Sequence, residues 1–209
     1  MKKYELIKQE SGFFRIKALK DFGNIKKGEL GGLIQKESNL SQYDDAWVYD
    51  NAKVYGNACV YGNAKVCDDA EVYYNAKIYD DALVCGNAKV YGDAEVYGNA
   101  NVYGNAKIYG DAEVYGYAEV YGNAKVYDSI LIIGTIHEKF IKISFVQCEK
   151  RIMTIYKDVN GYLRCNIGCQ KGMTLEDLLK RIKQDGGMKP HRQQYVNIMK
   201  NAKSILNIE

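Results

Sequence analysis

The chain has 209 residues, with 29 Lys and Arg against 26 Asp and Glu for a net charge of +3, 47% hydrophobic residues, 20 glycines and one proline. That length suffices to bury a core in one or two domains, and the composition excludes collagen and a disordered chain. No run of about 18 apolar residues occurs and the start lacks the apolar stretch of a signal peptide, so the expectation is a cytoplasmic protein with no membrane partner.

Six cysteines at irregular spacings are too sparse for a disulfide framework and suit a reducing compartment. Charge is spread unevenly. Residues 1–45 carry 9 basic and 7 acidic side chains, residues 46–135 carry 6 and 12, and residues 136–209 carry 14 and 7. A basic last third can lean on the acidic middle, or attract phosphates.

Within residues 1–45, "KYELI", "FFRIKAL" and "GGLIQ" read as short strands, and residues 21–32 are rich in turn formers. Stacked coils expose unpaired strand edges at their ends, so this segment is expected to be an N-terminal β cap. Leu40 lies one period before Ala46, which predicts a degenerate first coil from near Ile34.

Alanine then recurs every six residues from Ala46 to Ala124, fourteen times, with Val or Ile two residues after each. The unit is V-Y-[GD]-[ND]-A-x. Period six keeps no helical face, Val beside Tyr favours strand, and the Gly/Asp and Asn/Asp pair suits a corner with left-handed backbone angles. Strand, corner, strand: the chain must coil.

Val or Ile first, Asn or Asp fourth and Ala fifth resembles the hexapeptide-repeat left-handed β-helix family, in which three hexads make one triangular coil. The resemblance implies a mainly β fold: a left-handed parallel β-helix of about five coils, its regular part about 22 Å long at strand spacing, followed by a small C-terminal α+β domain. The opening "LKDFGNIKKGELGGLIQKESNLSQYDDAWVYDNAKVYGNA" and the later "RCNIGCQKGMTLEDLLKRI" are similar to proteins encoded by bacteriophages and prophages. The implied organisation is residues 1–45 (cap and degenerate coil), 46–135 (β-helix) and 136–209 (C-terminal domain).

Three hexads per coil predict which side chains stack. Tyr55, Tyr73, Tyr91, Tyr109 and Tyr127 form one outward column, and Tyr61, Tyr79, Tyr97 and Tyr115 a second. The third reads Tyr49, Cys67, Cys85, Tyr103, Tyr121. A disulfide or a metal is one reading of the adjacent cysteines. The favoured reading is two reduced thiols filling tyrosine slots, because parallel stacked Cβ atoms sit farther apart than a disulfide prefers. Tyr is unusual at the family's second position, and flat amphipathic columns suit an interface. Tyr74 and Tyr117 replace corner residues, and with the first column they are the candidate interface residues.

Past Val126 the pattern frays, with Ile130 and Ile132 keeping register. "FIKISFVQ" and "RIMTIYKD" alternate as strands, Asn160-Gly161 marks a hairpin before "YLRCNIG", and Thr174 with Asp177 caps a helix. Pro190 begins a second helix. Arg151, Arg164, Lys180, Arg181, Lys183, Arg192 and Lys200 are the candidate anion-binding residues of this basic segment, for a nucleotide or nucleic acid.

Catalytic signals are scarce. The related acyltransferases place a histidine on the coil or on a loop projecting from it, whereas the chain's two histidines are His137 and His191, outside the fourteen hexads. Cys148, Cys165, Cys169 and His191 have the chemistry of a zinc site, but their spacing is looser than Cys-x-x-Cys and buried thiols are the reading kept, so neither metal nor cofactor is expected. Asp93 over Asp111 is read as corner hydrogen bonding, not a cation site.

The expectation is a non-catalytic phage-type binding protein, a homotrimer or other small homo-oligomer. Its β-helix presents the basic domain to a host macromolecule or nucleotide, in a setting of host-defence interference. The alternatives are an acyltransferase and a structural or polymer-forming component.

Overall fold

The structure, a computed structural model, describes residues 2–126, 131–132, 135–137, 140–146, 151–157, 162–167, 170–184, 197–198 and 202. The chain divides into two units, Met1–Ile132 and Ile133–Glu209.

The first unit is a parallel β-solenoid of about five coils. A short strand forms in every hexad, and each pairs in parallel with the strand three hexads on, so three sheets run along the coil. On face one, Lys53–Val54, Glu71–Val72, Lys89–Val90, Lys107–Ile108 and Lys125–Val126 follow one another. Face two carries Cys59–Val60, Lys77–Ile78, Glu95–Val96, Glu113–Val114 and Leu131–Ile132. Face three carries Trp47–Val48, Lys65–Val66, Leu83–Val84, Asn101–Val102 and Glu119–Val120.

The hexad explains the coil residue by residue. Alanine and the β-branched residue point inward: Ala46 through Ala124 and Val48 through Val126 are at most 1% exposed and constitute the core. After the outward residue at the second position, the chain turns at the third, which holds a positive φ in every described coil, as at Gly62 (64°) and Asp80 (56°). Glycine adopts that conformation without steric cost, and Asp tolerates it. Coils stack tightly there, since a Cβ on Gly62 would lie 2.9 Å from the Asp80 nitrogen. Backbone groups are paired between coils, as in Lys65 N–H donating to Ala82 at 2.9 Å.

Corner side chains add a second set of ladders. Asn63 Nδ2 donates to Asp81 Oδ1 at 3.0 Å, and Asn75 Nδ2 to Asp93 Oδ1 at 2.9 Å. The corner position thus acts through amide hydrogen bonds from coil to coil.

At the N-terminal end, antiparallel strands Tyr4–Lys8, Phe14–Ala18 and Leu30–Ile34 run in succession, and Leu33 and Ile34 then pair in parallel with Lys53 and Val54. Leu40 bridges Val60 in parallel, so coiling precedes Ala46. Glycine is required where this strand meets the coil: a Cβ on Gly31 would lie 2.5 Å from the Val48 carbonyl oxygen, and one on Gly32 2.6 Å from Val48 Cγ1. Trp47 is fully buried here, with edge contacts to Tyr4 and Phe22 at 6.2 and 5.3 Å.

In the second unit, strands Thr135–His137, Phe140–Val146, Arg151–Lys157, Leu163–Ile167 and Gln170–Met173 pair antiparallel in chain order. Helix Leu175–Gln184 follows. Its start is capped as expected, with Asp177 N–H donating to Thr174 Oγ1 at 3.1 Å and Thr174 N–H to Asp177 Oδ2 at 3.0 Å. The helix expected from Pro190 lies largely outside the described residues. Among those described, no helix is long and apolar enough to cross a membrane.

Candidate functional site

With alanine and valine committed to the core and the third position to the corner, the chain's variable chemistry lies on two outward positions per hexad, the tyrosine and the residue before the core valine. On face one, Tyr55, Tyr73, Tyr91 and Tyr109 stack with centroids 4.9 to 5.0 Å apart and planes within 7° of parallel. On face two, Tyr61, Tyr79, Tyr97 and Tyr115 stack at 4.8 to 5.1 Å with planes within 10° of parallel. These are the columns that three hexads per coil require. Tyr127 lies outside the described residues.

Three of these rings reach the next coil on their own face. Tyr55 Oη donates to Glu71 Oε2 at 3.0 Å, and Tyr79 and Tyr97 donate to Glu95 and Glu113 at 2.9 Å. The offset is constant, 16 residues from a tyrosine to the outward residue of the following strand. Lysines complete two of these sites: Lys89 Nζ lies 3.0 Å from Glu71 Oε1 and Lys77 Nζ 2.8 Å from Glu95 Oε1. Partial burial and these carboxylates push the Tyr55, Tyr79 and Tyr97 phenols above their usual range. The Lys77 ammonium in turn holds the Glu95 carboxyl low.

Face three is interrupted. Tyr103 and Tyr121 stack at 5.1 Å, and Tyr49 stands at the N-terminal end. Between them the expectation of two reduced thiols is overturned: Cys67 and Cys85 are joined by a disulfide. Their Cα atoms are 4.7 Å apart, within the range of about 4.4–6.8 Å that disulfides span, so one coil step permits the bond that Cβ spacing had argued against. Asp68 lies beside the pair, where its Oδ2 accepts from Gly86 N–H at 2.8 Å.

The missing rings have a geometric consequence. By the same offset, tyrosines at 67 and 85 would cover Leu83 and Asn101. With cysteine there, Leu83 and Asn101 instead line a hollow of about 450 Å³, together with Tyr49, Lys65, Asp81, Asp45 and the turn at residues 23–25. The hollow was not read from the sequence, although its signal was present: two non-tyrosines in one column, with a leucine at the position that the first would have covered.

No match is found to any protein-family model or any curated protein.

The two corner tyrosines are exposed. Tyr74 is 63% and Tyr117 82% exposed. Tyr74 adopts φ 59° where neighbouring coils have Gly or Asp, and its ring lies 5.2 Å from that of Tyr73.

Among the anion-binding candidates, Lys180, Arg181 and Lys183 are exposed on helix Leu175–Gln184 and Arg164 is half-buried on Leu163–Ile167. Lys180 and Arg164 both help to hold the Asp177 carboxyl low, after its stronger hydrogen bonds from Thr174, so a carboxylate sits within this group. Arg151 lies on strand Arg151–Lys157, and Arg192 and Lys200 lie outside the described residues, as do Cys148, Cys169 and His191 of the zinc alternative. Cys165 is buried, and burial pushes its thiol up to about 11.

Proposed function

We propose that this chain is a non-catalytic binding protein whose solenoid presents aromatic faces to a second copy of itself and to a target. The observation that carries the reading is the paired tyrosine ladders of faces one and two, eight outward rings in two straight rows. A core of Ala and Val already accounts for the coil, so these rings are surplus to it, and tyrosine offers large contact area at low entropic cost. A histidine-free run of hexads supports a non-catalytic role.

The sequence resemblance extends the proposal: a left-handed β-helix of the phage type, closed by an N-terminal cap, assembled as a trimer or other small oligomer, and followed by a basic α+β domain that engages a host protein or nucleotide. Sedimentation at micromolar concentration tests the assembly. The wild type is expected to sediment as an oligomer, and the double variant Tyr74→Gly/Tyr117→Asn to shift toward monomer; a wild type that is monomeric throughout overturns the self-association reading. For the basic segment, the charge-reversed variant Lys180→Glu/Arg181→Glu/Lys183→Glu is expected to lose capture of the host target. Equal capture by both forms removes that segment from the proposal.

A further inference from the structure

The interrupted ladder of face three is shaped by subtraction, which gives it a defined geometry. Tyr49 and Tyr103 stand three coils apart, about 14 Å at strand spacing, and the two rungs between them hold a disulfide in place of rings. Tyr103 is 38% exposed, as the first ring of a stack with no ring before it. The neighbouring ladders define what fits: planar six-membered rings, parallel and 4.8 to 5.1 Å apart by centroid. A flat ring entering the hollow would meet Tyr49 and lie over Leu83 and Asn101.

The lining selects among flat molecules. Leu83 supplies an apolar floor where other coils of this face place Lys65, Asn101 or Glu119. Around it stand two carboxylates, Asp45 and Asp81, one ammonium, Lys65, and the amides of Asn63 and Asn101. Asn63 Nδ2 donates to Asp81 Oδ1, leaving Oδ2 as an acceptor at the rim. Acceptors and donors are therefore both present, as an aromatic heterocycle with amino groups and ring nitrogens requires. Two carboxylates against one lysine disfavour an anionic ligand, because a phosphate would meet net negative charge. A volume of about 450 Å³ lies in the range of small-molecule sites.

We propose that the hollow binds a neutral planar nitrogen heterocycle of the purine nucleoside class, seated against Tyr49 and over Leu83 and Asn101, where rings at positions 67 and 85 would lie by the 16-residue offset. This site lies on the solenoid, and it stands or falls separately from self-association and from the basic segment.

The full-length protein is titrated calorimetrically with adenosine and guanosine, and with their 5′-monophosphates. At least one nucleoside is expected to bind, and to bind better than its monophosphate. The variant Cys67→Tyr/Cys85→Tyr restores the two rungs and is expected to weaken binding at least about tenfold, the scale of one lost aromatic–base stack. Cys67→Ser/Cys85→Ser removes the disulfide but leaves the gap open, and should retain binding. Should the tyrosine variant fold poorly by circular dichroism, Leu83→Lys, which places on the floor a residue found elsewhere in the same column, is expected to give the same loss. Failure of both nucleosides to bind, undiminished binding in a well-folded gap-filled variant, or tighter binding of the monophosphate would each overturn the proposal.

Discussion

Single residues in this chain are under unequal constraint, and two of them make the point from opposite sides. Tyr74 occupies a left-handed corner where Gly or Asp stands in the other coils, a conformation costing a non-glycine residue roughly 1–2 kcal/mol. Tyr74→Gly should therefore raise stability by up to about 1 kcal/mol in chemical denaturation, once the greater freedom of glycine in the unfolded chain is set against the relief. A loss of stability would mean that its contact with Tyr73 outweighs the strain. Lys3 is fully buried, its Nζ donating to the carbonyls of Ala46 at 2.9 Å and Tyr43 at 3.1 Å. Burial lowers its ammonium to about 8, against opposing pulls from Asp44 and Asp45. Between about 8 and 10.5 the unfolded chain holds a proton that the folded chain has released, so this group makes stability rise with pH across that window. Lys3→Met should flatten that rise, as read from unfolding midpoints at either end of the window.

Elements here are strands too short to hold alone and dependent on the coil above and below. Their ladders set the alkaline limit of the fold. Phenols that titrate near 10 when unfolded are raised in the folded ladders, first by burial and then by their glutamate partners, so stability is complete below 10 and falls as pH climbs past it. Phenolate absorbance should lag that of free tyrosine and then rise together with unfolding; Glu95→Gln should advance ionisation of Tyr79 at a cost of only about 0–1 kcal/mol, since its ion pair with Lys77 is exposed. The strand Leu30–Ile34 is constrained sterically instead. Gly32→Ala should destabilise by about 1–3 kcal/mol, the range for overpacking, because its Cβ would press on Val48 Cγ1 and the Ala52 carbonyl oxygen. The columns were legible in the sequence because a fixed period of three hexads determines which side chains meet, whatever their identity. The disulfide was not, because spacing argued by Cβ position misjudged a bond decided by a Cα separation of 4.7 Å. Nor were the burial of Lys3 and Trp47 under residues 1–45, or the hollow beside the cysteines, legible: these depend on how an irregular segment lies across a regular one, and no period encodes that.

At the scale of the whole molecule, charge and aromatic surface compete to explain any assembly. The middle segment is acidic and the last third basic, so association between copies through opposite charge would weaken as salt shortens the Debye length to about 3 Å at 1 M. Association through tyrosine faces would persist or strengthen. Sedimentation at low and high sodium chloride is expected to give the second result, and dissociation by salt would assign the interface to charge.

The pairing of strands one coil apart has one more consequence. Three hexads can be copied or lost without turning either end of the rod, whereas one hexad gained or lost rotates everything beyond it to the next face. Between Cys67 and Cys85 there are three hexads and no more. The cysteine pair is thus a tally mark: it can close only when one whole coil separates its members, so a chain that slipped by a single repeat in this stretch would betray the error as two unjoined thiols.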